Sequence, residues 1–186
     1  AHLKVLILSE VVAQEKMLDV LDYFIRDASI RNIFYPVVAQ DSSAKDILKS
    51  TTTENPIVST SIQSMLENNK MNNGVVVRKD FEDFLNEVID PYQDAYLNTI
   101  IKEEDTLVLK GIAAFKDHQL KTILSTEDAI AFNTLNNDST NYYISSVCPN
   151  DSTQSLTINL YDNTRTDFSF EEHAVQITSH LTASII

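Results

Sequence analysis

The chain has 186 residues, of which 43% are hydrophobic, and it carries a formal net charge of −13. This length and hydrophobic content are sufficient for one large folded domain or two small ones, so disorder along the whole chain is not expected. The acidic balance argues against nucleic acid and against an anionic membrane surface as partners, because both are bound by clustered Lys and Arg.

The start of the chain predicts a strand, a helix and a second strand. Residues 3–8 form a short apolar run, typical of a strand that is buried on both faces. Residues 15–27 carry apolar side chains at helical spacing, so they predict a helix with one apolar face. Residues 32–39 predict the next strand, in which Pro36 indicates an edge or a bulge because proline cannot donate to a ladder. This order favours a parallel pair of strands joined by a right-handed crossover.

Two further helices are predicted before the strongest break in the sequence. Ser42 or Ser43 can cap a short helix that extends to Lys49. Pro56 suits the first turn of another helix, because an N–H at that position would have no intrahelical acceptor. Residues 68–74 then combine polar turn-forming side chains with one of the two glycines of the chain. We therefore predict that a partial N-terminal α/β domain spans residues 1–72.

The central part of the sequence predicts a helix followed mainly by β-structure. A helix is expected over residues 80–89, with acidic side chains in its first turn. Strands are expected over residues 96–101, 106–115 and 119–124, the last two joined by a hairpin turn. Ser125 begins a short helix whose first turn is also acidic. These elements predict a middle α+β domain over residues 73–169.

The C-terminal part of the sequence predicts strands. They are expected over residues 142–147, 155–161 and 175–185. A strand needs neighbours to be stable, so we expect residues 170–186 to begin a truncated C-terminal domain that continues beyond this sequence. The predicted fold class is therefore α+β, with mixed β-sheets, flanking helices and at least two small domains.

The sequence lacks the patterns that catalytic, metal and phosphate sites need. Cys148 is the single cysteine, which rules out an intrachain disulfide and a zinc site built on cysteine pairs. His173 and His180 are an odd number of residues apart, so in one regular strand they cannot chelate together. No nucleophile elbow and no glycine-rich phosphate loop occurs. We predict no catalytic residues, no metal and no cofactor, with a Cys148–His173 hydrolytic pair and a small-ligand binding protein as alternatives.

Two arginines near the end of the first predicted helix have two interpretations. Arg26 and Asp27 close the helix, and Arg31 follows after a short turn. A structural interpretation accounts for both arginines, because Arg26 suits the C-terminal end of the helix dipole and both can pair with nearby acids. The functional alternative is a bidentate contact between an arginine and a carboxylate on a partner protein.

Several short motifs occur in a distinctive order along the chain. They are Arg26-Asp27 with Arg31, SAKDIL at residues 43–48, GIAAFK at residues 111–116, and Cys148-Pro149. In this order they resemble the motifs of the C subunit of bacterial spore germinant receptors, the Ger(x)C lipoprotein family. The positions that match the family motifs, as interface or structural residues, are Arg26, Asp27, Arg31, Lys45, Gly111, Phe115 and Lys116.

The resemblance implies a protein that senses or assembles rather than catalyses. Such a subunit would be lipid-anchored on the outer face of the spore inner membrane and would act with the integral membrane A and B subunits of the receptor. Its role would be assembly or signal relay in the nutrient response that starts germination. The lipobox cysteine of the family is absent from this sequence, and Gln40-Asp41 stands where the family often has glycine. A single lipid chain anchors only marginally, so partner contacts are expected to help hold the subunit in place.

Overall fold

A five-stranded mixed sheet organises the N-terminal part of the fold. The computed structural model describes residues 3–50, 57–68, 74–138, 141–148, 150–161, 165–172 and 174–185. In spatial order the strands are β1 (Val5–Ser9), β2 (Tyr35–Ala39), β3 (Tyr96–Glu103), β4 (Thr106–Lys116) and β5 (Gln119–Leu124). Strands β1, β2 and β3 run parallel, whereas β3, β4 and β5 are antiparallel. The parallel pair predicted at the start of the chain is confirmed.

Helices cover both faces of this sheet. They are α1 (Glu10–Glu15), α2 (Met17–Arg26), α3 (Ala44–Lys49), α4 (Val58–Glu67), α5 (Phe81–Ile89) and α6 (Thr126–Leu135). Successive side chains of a strand point to opposite faces, so the sheet contributes to two separate cores. Val38 packs with α1, α2 and α5, whereas its neighbour Val37 packs with α3, α4 and α6, and both valines are fully buried.

Two helices begin at the serine caps that the sequence predicts, and a third begins after an aspartate that the prediction placed inside the helix. The Ser43 hydroxyl accepts a hydrogen bond from the N–H of Asp46 at 3.1 Å, and α3 begins at Ala44. Asp80 begins α5 through a capping box, in which its carboxylate and that of Asp83 each accept from the other residue's N–H. Ser125 caps α6 in the same way as Ser43 caps α3.

Other helix boundaries differ from the prediction. Helix α1, which was not predicted, follows a capping interaction of Ser9. Because α1 takes up the residues before Lys16, the helix predicted over residues 15–27 begins only at Met17. The predicted helix start at Pro56 lies outside the described residues, and α4 begins at Val58 with no side-chain cap on Ile57.

One strand prediction is corrected and another holds in part. Pro36 marks neither an edge nor a bulge, because β2 lies between β1 and β3. The Tyr35 N–H donates to the Lys4 carbonyl at 3.0 Å, so the nitrogen of Pro36 faces away from β1, and β3 pairs only with residues 38 and 39. Pro36 therefore lacks its N–H at a position where neither β1 nor β3 needs a donor. Strand β1 is itself an edge, and Leu8 is its one fully buried residue. Its side chains nevertheless pack against both cores, Leu6 and Leu8 on one face and Val5 and Ile7 on the other, so the expected burial on both faces holds in part.

The β-structure after α6 forms two smaller sheets. Strands β6 (Asn141–Cys148), β7 (Asp151–Tyr161) and β10 (Ala183–Ile185) pair antiparallel in the order β10-β7-β6. Strands β8 (Arg165–Glu171) and β9 (Ala174–His180) form a separate antiparallel hairpin. Strand β8 was not predicted, and β9 and β10 are separate strands where one long strand was expected.

The predicted domain boundaries do not coincide with the limits of these sheets. Residue 72 falls between β2 and β3, which hydrogen-bond to each other within the five-stranded sheet. Residue 169 falls inside β8. Polar, glycine-containing stretches mark loops, and such loops connect strands of one sheet as well as separate domains. How the chain divides into domains stays a prediction, whereas the mixed sheets with flanking helices confirm the predicted α+β class.

Candidate functional site

The predicted motif at the end of α2 lies on the protein surface. The Nε of Arg26 donates to the two carboxylate oxygens of Asp22 at 2.7 and 2.8 Å, and the Arg26 side chain is 78% exposed. The Asp27 carboxylate accepts from the hydroxyl and the N–H of Ser29, at 2.6 and 3.0 Å, and both bonds lower the pKa of Asp27. Arg31 is also exposed. Asp27 therefore shapes a turn that follows Arg26 and precedes Arg31.

The three predicted positions on β4 have different environments. A Cβ on Gly111 would lie 2.3 Å from the Leu124 carbonyl oxygen, so the close approach of β5 leaves no room for a side chain. Phe115 is 2% exposed, and its ring meets that of Phe84 edge to face at 5.4 Å. Lys116 is exposed. Packing thus explains Gly111 and Phe115, whereas Lys116 is available for contact with a ligand or a partner.

The remaining candidate residues are dispersed. Lys45 is exposed on α3, which packs on the other face of the sheet from α2. Cys148 is partly buried at the end of β6, and His173 lies outside the described residues. His180 lies 3.6 Å from a carboxylate oxygen of Asp167. Across the described ranges, no three His, Cys, Asp or Glu side chains are gathered closely enough to hold a metal ion.

A partly buried group of four polar residues, which was not predicted, joins α5, β3 and the segment after α6. We call Lys79, Glu87, Tyr96 and Asp138 the polar cluster. The Lys79 ammonium contacts both carboxylate oxygens of Glu87 at 2.5 and 2.6 Å and lies 2.9 Å from the centre of the Tyr96 ring. The Tyr96 hydroxyl donates to Asp138 at 2.5 Å. The side chains of Lys79 and Glu87 are 6% and 16% exposed, so the ion pair is largely removed from water.

Burial changes the proton affinities within the polar cluster. It lowers the pKa of Lys79 and raises the pKa of Glu87, because each charged form loses hydration. The attraction between the two charges opposes both shifts. Burial, together with the bond to the Asp138 carboxylate, also raises the pKa of Tyr96. Tyr96 therefore keeps its proton and acts as a hydrogen-bond donor.

Two adjoining cavities open beside the polar cluster. Their volumes are about 590 and 610 Å³. They share a wall formed by Glu87, residues 93–95, Phe115 and Lys116. The larger cavity is also lined by Tyr96, Lys121, Phe132 and Asp138. Aromatic surface and side chains of both charges therefore converge on one concave region that is large enough for a small molecule.

The polar cluster could not be read from sequence spacing. Its members are separated by 8, 9 and 42 residues along the chain, and only the fold brings them together. One local signal was present. Residues 75–77 are buried valines, and Lys79 lies two positions after them, between Arg78 and Asp80, the cap of α5. A lysine in such a position is a candidate for burial with a partner, because an unpaired buried ammonium is very costly.

Comparison with known proteins places the chain in a class. A family model described as the spore germination protein N-terminal domain matches residues 1–102. Spore germination protein GerQC of Bacillus cereus is 30% identical over 134 residues, which cover 72% of this chain and 37% of GerQC. The crystal structure of the GerBC protein superposes with a TM-score of 0.61 at 15% identity, covering 100% of this chain and 54% of that chain. At that identity, the likeness to GerBC shows the fold alone.

The chain belongs to the family of the spore germination protein N-terminal domain, because the match covers more than half of its length. The resemblance to the C subunit of spore germinant receptors, stated above from short motifs, is thereby confirmed. The chain spans less than half of the length of GerQC and about half of GerBC. In the part of the chain that the structure describes, no helix has the length and apolar character of a membrane span.

Proposed function

We propose that the chain is a non-enzymatic subunit of a nutrient germinant receptor and acts in assembly or signal relay during spore germination. Its partners would be the integral membrane A and B subunits, on the outer face of the spore inner membrane, with a lipid anchor supplying the link to the bilayer. The observation that carries the proposal is the family match over residues 1–102.

The exposed end of α2 is the proposed contact surface. Arg26 is largely exposed, and Tyr23 and Ile25 beside it are 60% and 53% exposed. Arginine and aromatic residues are enriched where proteins bind each other, because they combine apolar area with directional hydrogen bonds. The pairing of Arg26 with Asp22 preorients the guanidinium for a carboxylate on a partner.

Co-purification with the A and B subunits tests this surface. Arg26→Ala combined with Arg31→Ala is expected to weaken assembly at least about tenfold, as truncation of an interface arginine commonly does. Arg165→Ala is the matched control, because the Arg165 side chain is 76% exposed and pairs locally with Asp167 at 2.9 Å. If the double variant assembles as well as the control, both arginines have a structural role only.

The two cavities beside the polar cluster favour a second candidate, the binding of a small ligand. Their volumes fall within the range of about 300–1,000 Å³ that ligand pockets occupy. A thermal-shift screen with millimolar small polar compounds tests this function. A compound that binds there should raise the melting temperature of the wild type but not of Lys116→Ala. Lys102→Ala is the control, since Lys102 is exposed on β3 and lines neither cavity.

A further inference from the structure

The C-terminal end of α6 is bonded to the five-stranded sheet and to the segment that precedes α5. The Asn133 side-chain amide donates to the carbonyls of Gly74 and Val75 at 2.9 and 2.8 Å. A few residues later, Asp138 accepts the hydroxyl of Tyr96 on β3. Asn133 is fully buried, so its two bonds form in a region from which water is excluded, whereas the bond between Tyr96 and Asp138 is part-buried.

The same end of α6 is bonded to the two smaller sheets. The Thr134 hydroxyl donates to the Ile130 carbonyl at 2.7 Å, so its oxygen accepts the hydroxyl of Tyr142 on β6 at 2.5 Å. The Thr134 carbonyl accepts the hydroxyl of Thr166 on β8 at 3.4 Å. Tyr142 is 2% exposed and packs against Gly74, where a Cβ would lie 2.8 Å from the Tyr142 ring.

One backbone turn supports both sets of bonds. The N–H groups of Asn137 and Asp138 donate to the carbonyls of Thr134 and Asn133, at 3.2 and 2.8 Å. Asn137 has a φ of 61°, a conformation that asparagine tolerates better than most residues. This turn places Asp138 beside Tyr96. Its backbone bonds are made to Asn133, which binds the segment at Gly74, and to Thr134, which binds the two smaller sheets. A displacement of this turn must disturb both sides.

We infer that residues 133–138 form a joint that couples the five-stranded sheet energetically to the β6–β10 region. The ordering of the joint depends on bonds from both sides, so loosening one side weakens the hold on the other. Tyr96 makes its own hydrogen bond within the polar cluster. Because that bond is to Asp138, Tyr96 is also a positioning residue for the β6–β10 region. This coupling goes beyond the proposed receptor role and does not depend on it.

A double-mutant cycle in equilibrium unfolding tests the joint. Tyr96→Phe removes only the hydroxyl that Asp138 accepts and should raise the unfolding constant roughly tenfold. Tyr142→Phe removes only the hydroxyl bound to Thr134 and should raise it about fivefold. If the two sites act independently, their effects multiply, and the double variant should raise the unfolding constant about fiftyfold. If the joint couples them, the double variant should remain below about twentyfold, because part of the second bond is already lost in each single variant.

A control and a located readout complete the test. Tyr92→Phe is the matched control, since Tyr92 is 94% exposed. The effects of Tyr92→Phe and Tyr142→Phe on the unfolding constant should multiply. Hydrogen exchange should also show faster exchange of β6 and β7 amides in Tyr96→Phe, on the order of tenfold. The inference is overturned if Tyr96→Phe and Tyr142→Phe multiply like the control pair. It is equally overturned if α6 amides accelerate in Tyr96→Phe while β6 and β7 amides do not.

Discussion

Replacement of Lys79 by methionine tests how far the fold depends on the polar cluster. Lys79→Met keeps most of the apolar length of the side chain but removes the ammonium that contacts Glu87 and the Tyr96 ring. The Glu87 side chain is only 16% exposed, so its carboxylate is left without a counter-charge and with little water. Removing one partner of a buried pair is therefore much more costly than removing both.

The expected magnitude follows from this environment. Breaking a buried pair from one side costs about 3–5 kcal/mol, because a charge is left uncompensated. Glu87 retains some solvent and the N–H of Tyr96 at 3.4 Å, so the lower end of about 3 kcal/mol is expected. With a urea dependence of about 2 kcal/mol per molar, the unfolding midpoint should fall by about 1.5 M.

Urea unfolding followed by far-UV circular dichroism measures this loss, since the chain contains no tryptophan. Lys110→Met is the control, because the pair of Lys110 and Glu103 at 2.6 Å is about half exposed and should contribute less than about 1 kcal/mol. Adding Glu87→Gln to Lys79→Met should restore much of the lost stability. If Lys79→Met loses no more stability than Lys110→Met, the cluster is not an important source of stability and the reasoning is refuted.

The same variant has a defined pH dependence. Burial raises the pKa of Glu87, and Lys79 opposes that shift, so in Lys79→Met the folded pKa should lie further above its ordinary value of 4.5. A carboxyl group with a raised folded pKa contributes stability below its unfolded pKa, and this stability is lost as the pH rises through the folded pKa. The stability deficit of Lys79→Met should therefore be largest at neutral pH and shrink toward about pH 4.5. An unchanged deficit across that range would contradict the assignment to Glu87.

Three further substitutions test packing and capping, each by the urea midpoint. Gly111→Ala should destabilise by about 1–3 kcal/mol, because the new Cβ meets the backbone of β5 rather than a movable side chain; an unchanged midpoint would show that β5 can shift freely. Phe115→Ala should cost about 3–5 kcal/mol by leaving a cavity beside Phe84, and a loss below about 1 kcal/mol would mean that the core closes over it. Ser125→Ala should cost about 1 kcal/mol through the lost cap of α6, with Ser125→Thr retaining most of it.

The features that the sequence predicted correctly are local ones. Ser43 and Ser125 cap their helices through hydrogen bonds that span three residues, so the chemistry is visible in a short window. The hairpin between β4 and β5 is likewise set by its turn, where Asp117 and His118 adopt positive φ values. Family membership was also predictable, because the resemblance is carried by short motifs whose order can be read from the sequence.

The features that were missed or misread depend on distant neighbours. Pro36 reads as an edge signal, and only the two-pair contact between β2 and β3 explains how a central strand accommodates it. Tyr96 looks like one more half-buried strand residue until α6 brings Asp138 to its hydroxyl. Sequence patterns do not encode which carboxylate meets which lysine, so the polar cluster and its cavities required the folded structure.

The contact between β2 and β3 has a mechanical consequence. Val38 and Ala39 are the residues of β2 that pair with β3, whereas the antiparallel ladder of β3 with β4 extends from Tyr96 to Glu103. Pulled across its strands, the sheet therefore has its weakest backbone ladder at this short seam. Each of the two cores contains residues of β2 together with residues of β3 and β4, so side-chain packing rather than backbone pairing would carry the tension there.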